Sequence, residues 1–182
     1  MRLSELIKDL EVKKTIGDLQ LEINNIAIDS GAVTKGDLFI CIKGKDFDGH
    51  DFIKEAINHG AVAVVCEKEV SVTKPQIIVK SARRALSALS ANLFNRTEND
   101  IKLIGVIGTN GKTTTSHLIK EIIEDSGISA GVIGTLGTYF GDQKYETALT
   151  TPDPIELHKI LYEMSRSGVK VAVMEVSSSK MR

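Results

Sequence analysis

Apolar residues fall along this chain in two alternating rhythms, short unbroken runs and stripes spaced three and four residues apart, and that alternation predicts an α/β protein. Leu3, Leu6, Ile7 and Leu10 keep to one helical face, so residues 3–10 read as a short amphipathic helix lying as a lid on the strands and helices of the first hundred residues. From Leu21 the pattern becomes Leu21, Ile23, Ile26, Ile28, then a turn at Asp29-Ser30-Gly31, then a buried strand over 36–42. A polar loop over 44–49 leads to a helix over 51–59, with Phe52, Ile53, Ala56 and Ile57 inward and Gly60 as its stop. The runs 61–65 and 77–79 read as strands buried on both faces, and 82–94 as a closing helix with Leu86, Leu89 and Leu93 on one stripe.

The stretch 95–100 is polar and aperiodic, which puts the boundary between two α/β domains at residues 97 and 98. Beyond it an apolar run over 101–107 precedes a glycine-rich turn and a helix over 113–126. A second strand over 130–133 runs into Gly134-Thr135-Leu136-Gly137, and a flexible segment comes next. Pro152 and Pro154 mark the start of a helix over 155–167, and a third strand over 169–174 ends at Glu175. Three strands and two helices are few for a doubly wound parallel sheet, so the second domain reads as the first part of one.

Composition narrows the function classes. The 182 residues are 42% hydrophobic, enough for an ordinary core, and 23 basic against 24 acidic side chains leave a formal charge of −1. That balance advertises neither a nucleic-acid nor an anionic-membrane partner. The longest apolar runs are far short of a membrane span and the polar start lacks a secretory core, so a cytoplasmic protein is expected. Cys41 and Cys66 sit in separate apolar runs and read as buried thiols.

The chemistry centres on Gly108-Thr109-Asn110-Gly111-Lys112-Thr113-Thr114-Thr115, between a strand and a helix. Glycines let backbone N–H groups turn toward an anion, the helix start adds its positive end, Lys112 brings charge, and the Thr113 hydroxyl can ligate a magnesium ion shared with nucleotide phosphates. Val106 stands where the general phosphate-loop pattern has its first glycine, and Gly108 takes over the early turn. Glu175, at the carboxyl end of a neighbouring parallel strand, is a second candidate magnesium ligand. The first domain's loops carry Asp29, Ser30, Lys45, Asp46, Asp48 and His50, a set that suits a small ligand or ordinary turns equally.

Together these residues resemble the Mur ligase family, and within it the MurE type. The likeness rests on Asp29-Ser30, 36–40, Asp48-Gly49-His50, 60–65, Gly108 through Thr115, Gly134-Thr135-Leu136, Thr150-Thr151-Pro152 and Met174-Glu175-Val176-Ser177-Ser178. It implies an ATP-dependent ligase of peptidoglycan precursor synthesis: ATP phosphorylates a carboxylate of the nucleotide-linked peptide and the amine of an incoming amino acid displaces the phosphate. It implies that residues 1–97 bind the UDP-sugar, through Ser30, Lys45, Asp46 and Phe47. Residues 98–182 would hold ATP on Gly108, Thr109, Asn110, Gly111, Lys112, Thr113 and Thr114. Thr113 and Glu175 would ligate Mg²⁺, with Lys112 and Glu175 as the catalytic pair, and Thr150, Thr151 and Ser177 would meet the muramoyl-peptide. A monomer is expected, and the resemblance implies that the amino-acid site belongs to a domain absent from these residues. The family pattern has Arg where Gly31 stands and His where Ser179 stands. Two other readings stand beside the ligase: a non-catalytic sugar-nucleotide and ATP-binding module, and an unrelated phosphate-loop kinase or switch protein.

Overall fold

The computed structural model describes residues 1–97, 100–145 and 150–177. The chain forms two compact units, dividing between Leu93 and Phe94. Each is built on a five-stranded sheet among the described residues.

In the first unit the elements are α1 (Leu3–Leu6), β1 (Val12–Ile16), β2 (Ile26–Ala27), β3 (Leu38–Ile40), α2 (Ile53–His59), β4 (Ala63–Cys66), β5 (Gln76–Val79) and α3 (Ala82–Leu93). The sheet order is β1-β5-β4-β3-β2, with β1 antiparallel to β5 and the rest parallel. Strands β3, β4 and β5 are buried along their whole length, as apolar runs in a parallel sheet must be. One side of the core gathers Phe39, Cys41, Ile53, Ala56, Val64 and Cys66.

Three local expectations change. The helix expected over 3–10 is a single turn, with Leu3 and Leu6 fully buried. Carbonyls at and just beyond its end are taken up by Asn92 of α3, whose side-chain amide donates to Leu6 O at 2.8 Å and Lys8 O at 2.9 Å. The polar run 12–16, given no element by its pattern, is the edge strand β1, its three middle residues exposed. Phe52 faces outward, because Gly49–Phe52 is a 3₁₀ turn whose phase differs from that of the helix after it.

The second unit contains β6 (Lys102–Ile107), α4 (Lys112–Asp125), β7 (Ala130–Gly134), β8 (Gly137–Phe140), β9 (Gln143–Tyr145), α5 (Pro154–Arg166) and β10 (Val171–Val176). Its sheet runs β6-β10-β7-β8-β9. Strands β6, β10 and β7 are parallel, so β10, last in the chain, inserts between the first two. Much of the segment expected to be flexible is a hairpin: β8 returns antiparallel beside β7 and Gly141-Asp142 turns it into β9, while residues 146–149 lie outside the described residues. Asp153 caps α5, its carboxylate accepting from Glu156 N at 3.0 Å, with Pro154 in the first turn. The core packs Ile133, Phe140, Leu161, Met164, Ala172 and Met174. The apolar run of β6 forms its strand, but Leu103, Ile104 and Ile107 remain exposed.

Candidate functional site

The site of the second unit lies where β6, β7 and β10 end. Gly111, with φ of +76°, takes the left-handed conformation that a side chain resists, and so turns the backbone directly into α4 at Lys112. Among the described residues no side chain caps this helix start. The first-turn N–H groups are therefore left to an outside acceptor, the arrangement in which helix starts take anions. Lys112 folds back over the loop, its Nζ donating to Gly108 O at 2.9 Å. Thr109, Asn110 and Thr114 are exposed around it.

Glu175 stands on β10 opposite Val106 of β6, almost wholly buried. Its carboxylate is held by three donors: the Thr113 hydroxyl to Oε2 at 3.1 Å, the Thr135 hydroxyl to Oε2 at 3.0 Å, and the Thr135 backbone N–H to Oε1 at 3.2 Å. Gly134 makes room for it, since a Cβ there would collide with Glu175 Oε1. The Glu175 carboxylate and the Thr113 oxygen lie side by side next to the loop, a hard-oxygen pair of the type that divalent cations take.

Thr150, Thr151 and Ser177 join this network. The Thr135 hydroxyl lies 3.2 Å from Thr150 Oγ1, the Thr151 hydroxyl donates to Glu175 O at 3.0 Å, and Ser177 N donates to Thr151 Oγ1 at 3.0 Å. Thr135 is the residue that sequence reasoning gave no role. Its signals were its place in Gly134-Thr135-Leu136 and its position just past the carboxyl end of a parallel strand, where such sheets bind ligands. Ser178 and Ser179 lie outside the described residues.

In the first unit a cavity of about 390 Å³ is lined by Ile28, Asp29, Ser30, Phe39, Phe47, Gly49 and Phe52. Ser30 and Phe47 thus come together, while Lys45 and Asp46 are exposed on the same loop without lining the cavity. Ser30 donates its hydroxyl to Glu55 Oε2 at 3.0 Å, and its carbonyl lies 2.7 Å from His59 Nδ1. Phe47 and Phe52 meet edge to face at 6.5 Å. His50 is structural: its Nε2 accepts from Glu67 N at 3.2 Å, so the ring proton lies on Nδ1, 2.6 Å from Asp48 Oδ1. The His50 backbone N–H, ahead of the ring, holds the Asp48 carboxyl below its ordinary range.

Comparison with known proteins decides what this pair of units is. The Mur ligase family, catalytic domain profile matches residues 22–97, and the Mur ligase middle domain profile matches 106–182. The chain belongs to the Mur ligase family. Among curated family members, the UDP-N-acetylmuramoyl-L-alanyl-D-glutamate--2,6-diaminopimelate ligase of Halalkalibacterium halodurans is 42% identical over 178 residues, covering 98% of this chain. The protein of the same name from Listeria monocytogenes is 44% identical over 178 residues. The chain spans 36–37% of the length of these Mur ligases. A solved structure of a ligase with that name superposes with a TM-score of 0.77 at 26% identity, over 98% of this chain and 36% of the other. The MurF ligase of Thermotoga maritima, solved in complex with ADP, matches at 0.56 and 29% identity, over 91% and 34%.

Proposed function

We propose that these residues carry the sugar-nucleotide-binding and ATP-binding parts of a MurE-type ligase, which adds a third amino acid to UDP-N-acetylmuramoyl-L-alanyl-D-glutamate. The relatives' names favour 2,6-diaminopimelate as that amino acid. The reading implies a cytoplasmic enzyme of peptidoglycan precursor synthesis; among the described residues no helix is long and apolar enough to cross a membrane.

The observation that carries the proposal is the convergence of Lys112, Thr113 and Glu175 at the uncapped start of α4. The loop amides and the helix start bind phosphate, and the Lys112 ammonium balances charge on the transferred group. Held with magnesium, ATP would supply the phosphoryl group that turns the substrate carboxylate into an acyl phosphate, from whose acyl carbon the incoming amine would displace phosphate. Thr113 and Glu175 would hold the magnesium. Among the described residues no three His, Cys, Asp or Glu side chains converge, which suits an ion bound through one carboxylate, one hydroxyl, phosphate oxygens and water. Thr150, Thr151 and Ser177, tied to Glu175 through side chain and backbone, are proposed to meet the muramoyl-peptide.

In the first unit, the 390 Å³ cavity with its phenylalanines and Ser30 suits the uridine end of the substrate. Lys45 and Asp46 would reach that substrate only from the rim of the loop. Calorimetric titration of UDP-N-acetylmuramoyl-L-alanyl-D-glutamate into the purified chain tests the reading. Saturable heat that Phe47→Ala weakens supports the sugar-nucleotide assignment, and no heat from folded protein overturns it.

A further inference from the structure

The hydroxyl of Thr135 does something the nucleotide reading does not require, for it lies within reach of two oxygens on different sides of the site. One is Glu175 Oε2 at 3.0 Å and the other is Thr150 Oγ1 at 3.2 Å. The same residue's backbone N–H holds Glu175 Oε1 at 3.2 Å. Thr135 therefore grips both oxygens of the carboxylate, whereas Thr113 touches only one.

That grip is built into the fold. Thr135 stands just past the end of β7, in the turn that leads to β8. The turn is fastened from behind by Tyr139, whose hydroxyl donates to Leu136 O at 2.5 Å. The Tyr139 ring is itself flanked by His117 of α4, 5.7 Å away, and by Lys144 Nζ, 5.5 Å from its centroid. Gly134 keeps the space into which the carboxylate leans.

We infer that Thr135 is the positioning residue of Glu175: it sets the orientation in which the carboxylate meets a divalent cation, and it links that carboxylate to Thr150. The inference rests on the proposed nucleotide site. A hydroxyl has one proton to give, and Glu175 Oε2 and Thr150 Oγ1 compete for it. A cation held at Glu175 would make the carboxylate a poorer acceptor, and the Thr135 hydroxyl would then favour Thr150 Oγ1 as its acceptor. Groups that orient metal ligands commonly change metal affinity by about 10- to 100-fold when removed.

The test uses Mn²⁺ as a spectroscopic stand-in for magnesium, with ADP, on the 182-residue chain. Three quantities are read: affinity for ADP without metal, affinity for Mn²⁺ at saturating ADP by electron paramagnetic resonance, and the thermal midpoint. Thr135→Val is expected to weaken Mn²⁺ binding by about tenfold, leave metal-free ADP affinity within twofold, and lower the midpoint slightly, because buried Glu175 loses one of its donors. Thr135→Ser restores the hydroxyl and is expected to restore Mn²⁺ affinity. Wild-type Mn²⁺ affinity in Thr135→Val, or failure of Thr135→Ser to rescue, overturns the role of Thr135 and leaves the nucleotide site standing. A folded wild-type chain that takes up no ADP overturns the nucleotide reading and this inference with it.

Discussion

Thr113 and Glu175 lie 62 positions apart in the chain, yet the hydroxyl of one donates to the carboxylate of the other at 3.1 Å. The parallel register that brings Glu175 beside Val106 makes this possible, since Thr113 lies in the first turn of the helix after β6. Thr113→Val removes the hydroxyl but little volume. It is expected to reduce the magnesium-dependent part of ADP affinity by about tenfold, while Thr113→Ser stays within twofold of wild type. Calorimetry at fixed ADP with varied Mg²⁺ checks this.

Gly134 and Glu175 give a steric prediction. A methyl group at residue 134 would sit well inside contact distance of Glu175 Oε1. Because Glu175 is buried and pinned by three donors, it moves only by breaking them. Gly134→Ala is therefore expected to cost about 1–3 kcal/mol of stability and to abolish magnesium enhancement of ADP binding. Chemical denaturation and calorimetry on the same variant read the two effects.

Cys41 and Cys66 are fully buried and free. Burial, ahead of their charged neighbours, pushes the Cys66 thiol up to about 11 and the Cys41 thiol higher still. At pH 8 both are thiols in the folded chain, and the thiolate is the reactive form. Ellman's reagent is expected to titrate neither cysteine in the native protein and both in guanidinium.

The Asp48–His50 turn predicts a pH effect. The carboxyl of Asp48 is held below its ordinary range chiefly by the His50 backbone N–H, so the charged form is favoured by folding. Its contribution is full above the unfolded carboxylate value of about 4 and is lost as pH falls through the lower folded value. Asp48→Asn should lower the thermal midpoint slightly at pH 7, and the gap to wild type should close below about pH 4. Melting curves across pH 2.5–7, at roughly half-unit steps around that value, measure it.

Much of this arrangement could be read from residue order. Runs such as 61–65 and 77–79 are apolar on both faces, as a buried parallel strand requires, and they contribute to β4 and β5. The stops at Gly60, Gly127 and Gly168 fall where α2, α4 and α5 end. Edge elements were harder. In β1, Lys13, Lys14 and Thr15 face solvent, so no buried face leaves a period-two trace. The β8–β9 hairpin did leave one, a Gly141-Asp142 turn between aromatic-bearing runs, but a polar β9 exposed throughout masked it.

The loop residues Gly108 to Thr114 announced themselves by type and spacing, and Glu175 by its place at a strand end. Thr135 did not, because only the three-dimensional turn points both its N–H and its hydroxyl at Glu175. Lys45 and Asp46 illustrate the reverse case. Neighbours in sequence of Phe47, they do not share its cavity, since successive loop residues point different ways.

The central claim is that Lys112, Thr113 and Glu175 form a magnesium-nucleotide site, and one measurement tests it most directly. ADP is titrated into the folded chain with and without Mg²⁺, for wild type and for Glu175→Gln, which keeps the shape and removes the charge. The account predicts that wild type binds ADP, that Mg²⁺ tightens binding by about tenfold or more, and that Glu175→Gln binds metal-free ADP normally but gains nothing from Mg²⁺. Absence of ADP binding, or a full Mg²⁺ gain in Glu175→Gln, would contradict it.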